Sequence, residues 1–171
     1  MRKISITIVI LAFLFIQNVS GQQLGDLYTE RTGGFTMSMP RGWQTADFNQ
    51  KYLMIMGPEV DGFTPNIGFG DESYSGSITS YVDIVLTYLQ MLFTDFNLIS
   101  RTSFRTNAGI TGEVITYQVT MGSIRVRQKI YVLPNRGGTA IMGITCTAPV
   151  VGGERYDAIF DASVRTFSWT R

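Results

Sequence analysis

Between residues 98 and 147 the chain passes through four extended stretches, 98–105, 112–121, 124–133 and 139–147, separated by nothing but short turns. The turns fall at Asn107 with Gly109, at Gly122 with Ser123, and across residues 134–138, where Pro134 opens and Gly138 closes the reversal. Short reversals make successive strands antiparallel neighbours, so this stretch is committed to a meander. A meander with an apolar face needs cover, and the remaining sequence has to supply it.

Two stretches have the spacing to do so. Ile78, Tyr81, Val82, Val85, Leu86, Leu89, Phe93 and Phe96 recur at steps of three and four, with Asp83, Thr87, Gln90 and Thr94 between them. This predicts an amphipathic helix of about 18 to 20 residues, capped by Ser75 or Ser77 and ending near Asn97. Tyr156, Ile159, Phe160, Ser163, Val164 and Phe167 repeat the pattern after Gly152 and Gly153, giving a closing helix of about three turns, with Trp169 at the chain's end. Ahead of the long helix, Phe35, Met37 and Met39 alternate with Thr36 and Ser38 in a strand stopped by Pro40 and Gly42. Residues 52–56 and 66–69 read as a hairpin with a long, turn-rich connection. The expected architecture is an α+β sandwich: a central twisted antiparallel sheet of about six strands with one long and one short helix packed on it.

The first 21 residues have a different character. Arg2 and Lys3 precede a run from Ile4 to Ile16 that is apolar apart from Ser5 and Thr7, and small residues follow at Val19, Ser20 and Gly21. A helix of about 13 residues rises only about 20 Å, short of the roughly 30 Å of a bilayer's hydrocarbon core. Residues 1–21 therefore read as a cleavable secretory signal, the alternative being a retained N-terminal anchor. Residues 22–34 read as a loose polar arm and 35–171 as a single domain. The product is expected to be exported, periplasmic or secreted, with no transmembrane segment after cleavage.

Of 14 basic residues, two lie in the signal, so 12 remain against 13 acidic ones, a balance that argues against nucleic acid as a partner. The chain has no histidine and a single cysteine, Cys146. This removes Ser-His-Asp and Cys-His nucleophilic machinery, His-ligated zinc, thiolate-only zinc and a C-x-x-C redox pair. Cys146 shares a strand face with Ala140, Met142 and Ile144 and reads as a small buried hydrophobe. Asp71 and Glu72 are adjacent on a strand, so their side chains point to opposite faces and do not flank one bond as a catalytic pair would. Gly68, Phe69 and Gly70 lack the third glycine and the lysine of phosphate loops, and small residues there suit close approach of a neighbour. No metal and no cofactor is expected.

The strongest candidate for a binding site is the row Arg125, Arg127 and Lys129, which alternates with Ile124, Val126 and Gln128 and continues in register to Tyr131. Three cations and one aromatic on a strand face suit an acidic protein or envelope component. The competing reading is an ordinary solvent face with cross-strand partners such as Glu113. A different candidate is a hydrophobic-ligand pocket between the long helix and the sheet, lined by some of Met54, Met56, Tyr88, Met91 and Phe93.

The order of these parts resembles the PsbP-like superfamily, which takes in the extrinsic PsbP protein of photosystem II and bacterial DcrB-like domains. The resemblance rests on the strand running into Pro40, Arg41, Gly42 and Trp43, then the long helix, the meander and the last helix ending at residues 163–167, and it spans roughly 28–169. It implies an α/β/α sandwich used as a non-enzymatic binding or assembly module. Metal roles in some plant members use histidine, so no metal is carried over. The expected function is a non-catalytic exported binding module of the bacterial envelope. A hydrophobic-ligand carrier is the alternative, and a carboxylate-dependent envelope enzyme a third reading.

Overall fold

A computed structural model describes residues 24–170. The signal read at 1–21 and the first residues of the arm lie outside them. The strands are β1 (Leu24–Glu30), β2 (Phe35–Pro40), β3 (Gln44–Ala46), β4 (Met54–Met56), β5 (Asn66–Ser73), β6 (Asn97–Arg105), β7 (Thr111–Met121), β8 (Ile124–Pro134), β9 (Ala140–Pro149) and β10 (Ser168–Trp169). The helices are α1 (Ile78–Leu92), between β5 and β6, and α2 (Glu154–Arg165), between β9 and β10. The main sheet has seven strands in the order β3-β4-β5-β9-β8-β7-β6, and β1-β2-β10 form a second, three-stranded sheet.

All of the strand pairings are antiparallel, and the meander β6-β7-β8-β9 runs as its short turns require. β5 then pairs along the free edge of β9 over its whole length, Asn66 opposite Thr147 through Ser73 opposite Ala140. Alternation along the strands splits the apolar side chains into two cores. Val114, Tyr131, Leu133, Met142, Ile144, Cys146 and Ala148 face the three-stranded sheet and α2. Ile115, Tyr117, Val119, Val126, Val132 and Ile141 face α1. The result is the α+β sandwich expected, with a helix on each face.

Three local readings are corrected. The stretch expected to be a loose arm forms β1 from Leu24, because Tyr28 buries its ring against Phe35 and Phe69, and the turn back to β2 is tied by Glu30 accepting from the amides of Thr32 and Gly33. The main sheet has seven strands rather than about six. The polar triplet of β3 adds its edge, while β2 leaves for the second sheet. The long helix is 15 residues, because Phe93 adopts an extended backbone (φ −119°, ψ 117°) and ends it. Phe93 and Phe96 still pack on the α1 core, but from a turn, so their spacing imitates another helical turn. At the start of α1, Ser77 is the cap and its Oγ accepts from the Ser80 amide.

The Pro40-Arg41-Gly42-Trp43 step is a reverse turn in which the Trp43 amide donates to the Pro40 carbonyl at 3.1 Å. Gly42 sits at φ +79°, a conformation a side chain would strain. The turn drops Trp43 into the core edge-on to Phe160 of α2 and directly over Gly57, where a Cβ would lie 2.7 Å from the indole.

Candidate functional site: a groove between α1 and the sheet

The cationic row does not face solvent. Arg125 is exposed, but Arg127, Lys129 and Tyr131 are buried beneath α2. Arg127 donates from Nε and Nη2 to the two carboxylate oxygens of Asp157 at 3.0 and 2.6 Å. Lys129 donates to Asp161 at 2.6 Å, and the Tyr131 hydroxyl bonds the same Asp161 oxygen. Alternate strand residues lie about 6.8 Å apart and helix residues four apart about 6 Å, so two acids at i and i+4 match two cations at i and i+2. Pairing with Asp157 raises the Arg127 guanidinium above its already high ordinary value, and burial pushes the Tyr131 phenol and the Cys146 thiol far up. Three of the four residues read as a partner surface are therefore interior cement between α2 and β8.

Glu113, read as a cross-strand partner of that row, lies on the opposite face and serves Arg101. The guanidinium of Arg101 bonds Glu113 at 2.6 Å, Asp83 of α1 at 2.5 Å and the Thr79 carbonyl at 3.1 Å. It is the clasp that holds α1 against the edge of the meander.

On the α1 face the cover is incomplete. α1 lies over β7 and β8, and beside it, above β5, β9 and the adjoining side of β8, runs an open groove of about 650 Å³. Its floor is made of the inward positions of β5 and β9, which carry small residues. Gly68 is opposite Thr145, and Gly70 is opposite Gly143. A Cβ at Gly70 would meet nothing within 4 Å, and one at Gly143 would meet no atom nearer than 3.6 Å. Tyr81 and Val85 of α1 form one wall, Met54 and Phe63 the other, and Met121 with Ile124 lies at one end. At the opposite end Glu72 accepts from the Tyr81 hydroxyl at 2.8 Å. Burial, with that hydrogen bond second, pushes the Tyr81 phenol up to about 12, so it stays a donor. Further along the floor, the buried Tyr117 hydroxyl donates to Gln128, whose amide donates to Thr147 at 2.9 Å.

Of the residues expected to line such a pocket, Met54 does. Tyr88 and Met91 point away, 62% and 80% exposed on the outer side of α1, and Met56 and Phe93 lie outside the lining. Sequence reasoning took long, flexible side chains as the signal, whereas the groove is made by absent ones. The signal was in Gly68, Gly70 and Gly143, at alternate positions of two strands that pair.

Asp71 and Glu72 part as strand alternation requires. Asp71 takes Lys51 at 2.7 Å and the Tyr52 hydroxyl at 3.0 Å, and Lys51 holds its carboxyl below the ordinary range, while Glu72 turns to Tyr81 on the other face. Among the described residues, no group of three or more His, Cys, Asp and Glu side chains is placed to hold a metal ion, and no helix is long and apolar enough to cross a membrane.

No family model and no curated protein sequence matches the chain. Solved structures do. The cyanobacterial PsbP protein of Synechocystis sp. PCC 6803 superposes with a TM-score of 0.59 at 15% identity, over 84% of this chain and 91% of that one. The Pseudomonas aeruginosa protein PA94 gives 0.59 at 15% identity, over 82% and 94%. LpqN of Mycobacterium tuberculosis, involved in cell envelope biogenesis, gives 0.56 at 13% identity, over 80% and 83%. At these identities the likeness is one of fold, and the chain has the PsbP-like fold.

Proposed function

We propose that this chain is a non-catalytic binding module, exported to the bacterial cell envelope, that holds an apolar ligand in the groove between α1 and the sheet. The observation that carries the reading is the Gly70–Gly143 pair: two facing strand positions without side chains, beside an amphipathic helix that leaves them uncovered. A strand interior is a poor place for glycine unless something else occupies the space. The wall residues are apolar and aromatic, with a few hydrogen-bonding groups on the floor, as in small-molecule sites generally. Export is supported by the basic start and apolar run of residues 1–21. A non-catalytic role is supported by the lack of histidine and by the separate engagements of Asp71 and Glu72. The reading that placed an acidic partner on the cationic row loses its surface, since α2 already occupies it.

The test is binding of the neutral fluorophore N-phenyl-1-naphthylamine to the protein without residues 1–21, in wild type and in Gly70→Leu. Saturable enhancement in the wild type that is lost in a folded Gly70→Leu variant is the expected result. Enhancement that survives the substitution puts the apolar site elsewhere.

A further inference from the structure

The groove is asymmetric in charge, and its asymmetry specifies a ligand more narrowly than "apolar". Resting on the reading above, we infer that the groove selects a single-chain amphiphile with an ammonium head, the head at Glu72 and the chain running toward Ile124.

The acidic end comes from β5. Glu72 turns its carboxylate to the groove there, Asp71 turns its own to the opposite face of the sheet, and no lysine or arginine is among the residues that line the groove. The two acids are not equivalent. Lys51 pairs with Asp71, so that charge is offset. Glu72 is exposed, and no cation among the described residues pairs with it. Its Oε2 takes the single hydrogen of the Tyr81 hydroxyl, which keeps the carboxylate turned to the α1 side of the sheet and leaves Oε1 to accept from a ligand. One uncompensated negative charge therefore stands at one end of a slot whose walls are low-dielectric side chains. Such walls strengthen its interaction with a charge of either sign.

The other end is apolar and uncovered. Met121 and Ile124 flank the β7–β8 turn with 47% and 40% of their surface exposed, an arrangement that an alkyl chain would cover. From Val132, near the acidic end, to Ile124 the groove follows β8 for roughly 27 Å at about 3.4 Å per residue, longer than a twelve-carbon chain. On the floor between, a Cβ at Gly70 would meet nothing within 4 Å, so an alkyl chain can lie against the sheet there. A carboxylate or phosphate head would face Glu72 with no cation to receive it. An uncharged head would gain the chain's burial alone.

The test measures displacement of N-phenyl-1-naphthylamine by dodecylammonium, dodecanol and dodecanoate, each below its micellar concentration, with direct calorimetric titration of the ammonium compound alongside. The ammonium compound should compete at roughly tenfold lower concentration than dodecanoate, with dodecanol between them. Glu72→Gln, which keeps an acceptor for Tyr81, should bring the three within about twofold while the fluorophore still binds. Dodecanoate equal to or better than the ammonium compound in the wild type overturns the charge assignment and leaves the groove standing. An ammonium preference unchanged in Glu72→Gln also overturns it. No saturable binding of fluorophore or ammonium compound overturns the groove itself.

Discussion

Asp157 receives both hydrogen bonds that the Arg127 guanidinium aims at α2, one from Nε and one from Nη2, and this paired contact lies where only 9% of the arginine side chain is exposed. Removing the acid strands a cation with little access to water, and breaking a pair of this kind costs about 3 kcal/mol, less where one partner keeps some hydration, as Asp157 does. Asp157→Ala should therefore lower the unfolding free energy by about 2–3 kcal/mol in urea titration. Arg125→Ala, on the same strand face but exposed, should change it by less than about 0.5 kcal/mol. Equal losses would mean that the α2 pair is no more than a surface contact.

Reversing Arg127 and Lys129 together to glutamate sets two new carboxylates against Asp157 and Asp161 inside the protein. The double variant should fail to fold, by circular dichroism and by susceptibility to protease. A folded double variant would show that α2 can leave the sheet without collapse of the core.

Two glycines on the main sheet should respond in opposite ways to the same change. At Gly70 a Cβ enters open space, so Gly70→Val should raise stability by about 0.5–1 kcal/mol, through β propensity and lost unfolded-state freedom. At Gly112 a Cβ would lie 2.0 Å from the Val132 carbonyl oxygen, so Gly112→Ala should cost about 1–3 kcal/mol or more. Paired denaturant titrations read both. A loss at Gly70 would mean that the groove floor is filled in solution by its own side chains.

Acid should loosen the α1 clasp before it loosens α1 itself. Arg101 holds the Glu113 carboxyl below its ordinary value of 4.5. A carboxyl lowered in the folded state contributes stability that is fully present above 4.5 and is lost as the pH falls from there through the folded value. Glu113→Gln should reduce stability at neutral pH and flatten the slope of stability against pH below 4.5. An unchanged acid slope would assign the acid sensitivity to other carboxylates, Asp71 first among them.

The Cys146 thiol is buried completely and its ionisation is suppressed by that burial. Since the thiolate is the reactive form, iodoacetamide should modify the native protein only as fast as it opens, and the rate should rise with urea in parallel with global unfolding. Rapid modification without denaturant would reveal a local opening of β9.

The parts legible in the sequence were those written in periodicity and punctuation. The meander, a serine cap at 75 or 77, the two covering helices and the burial of Cys146 all follow from alternation and turn residues near one another in the chain. What was not legible depended on distant partners. The row at Arg125, Arg127 and Lys129 has the pattern of a solvent face, and nothing on β8 says that Asp157 and Asp161 arrive to meet it. The complementary four-residue spacing on α2 was visible, but it counts as a signal only once the helix is known to lie across that strand. β1 was missed because a single buried tyrosine holds it, too little for any periodicity. The groove was not legible because it is made by three glycines, rather than by bulky side chains such as Met91, and their adjacency exists only after β5 meets β9.

That meeting has a consequence for how the protein is made. Gly70 and Gly143 stand about seventy positions apart in the chain, with α1 and three strands of the meander synthesised between them. Contacts of such long range form late in folding, since the intervening loop must first be ordered. During vectorial synthesis β5 can pair with β4, but its other edge stays open until β9 has emerged, and the groove floor has no earlier precursor. A chain cut short before β9 therefore lacks one side of the groove floor, Gly143 with Thr145, however much of the meander it has ordered.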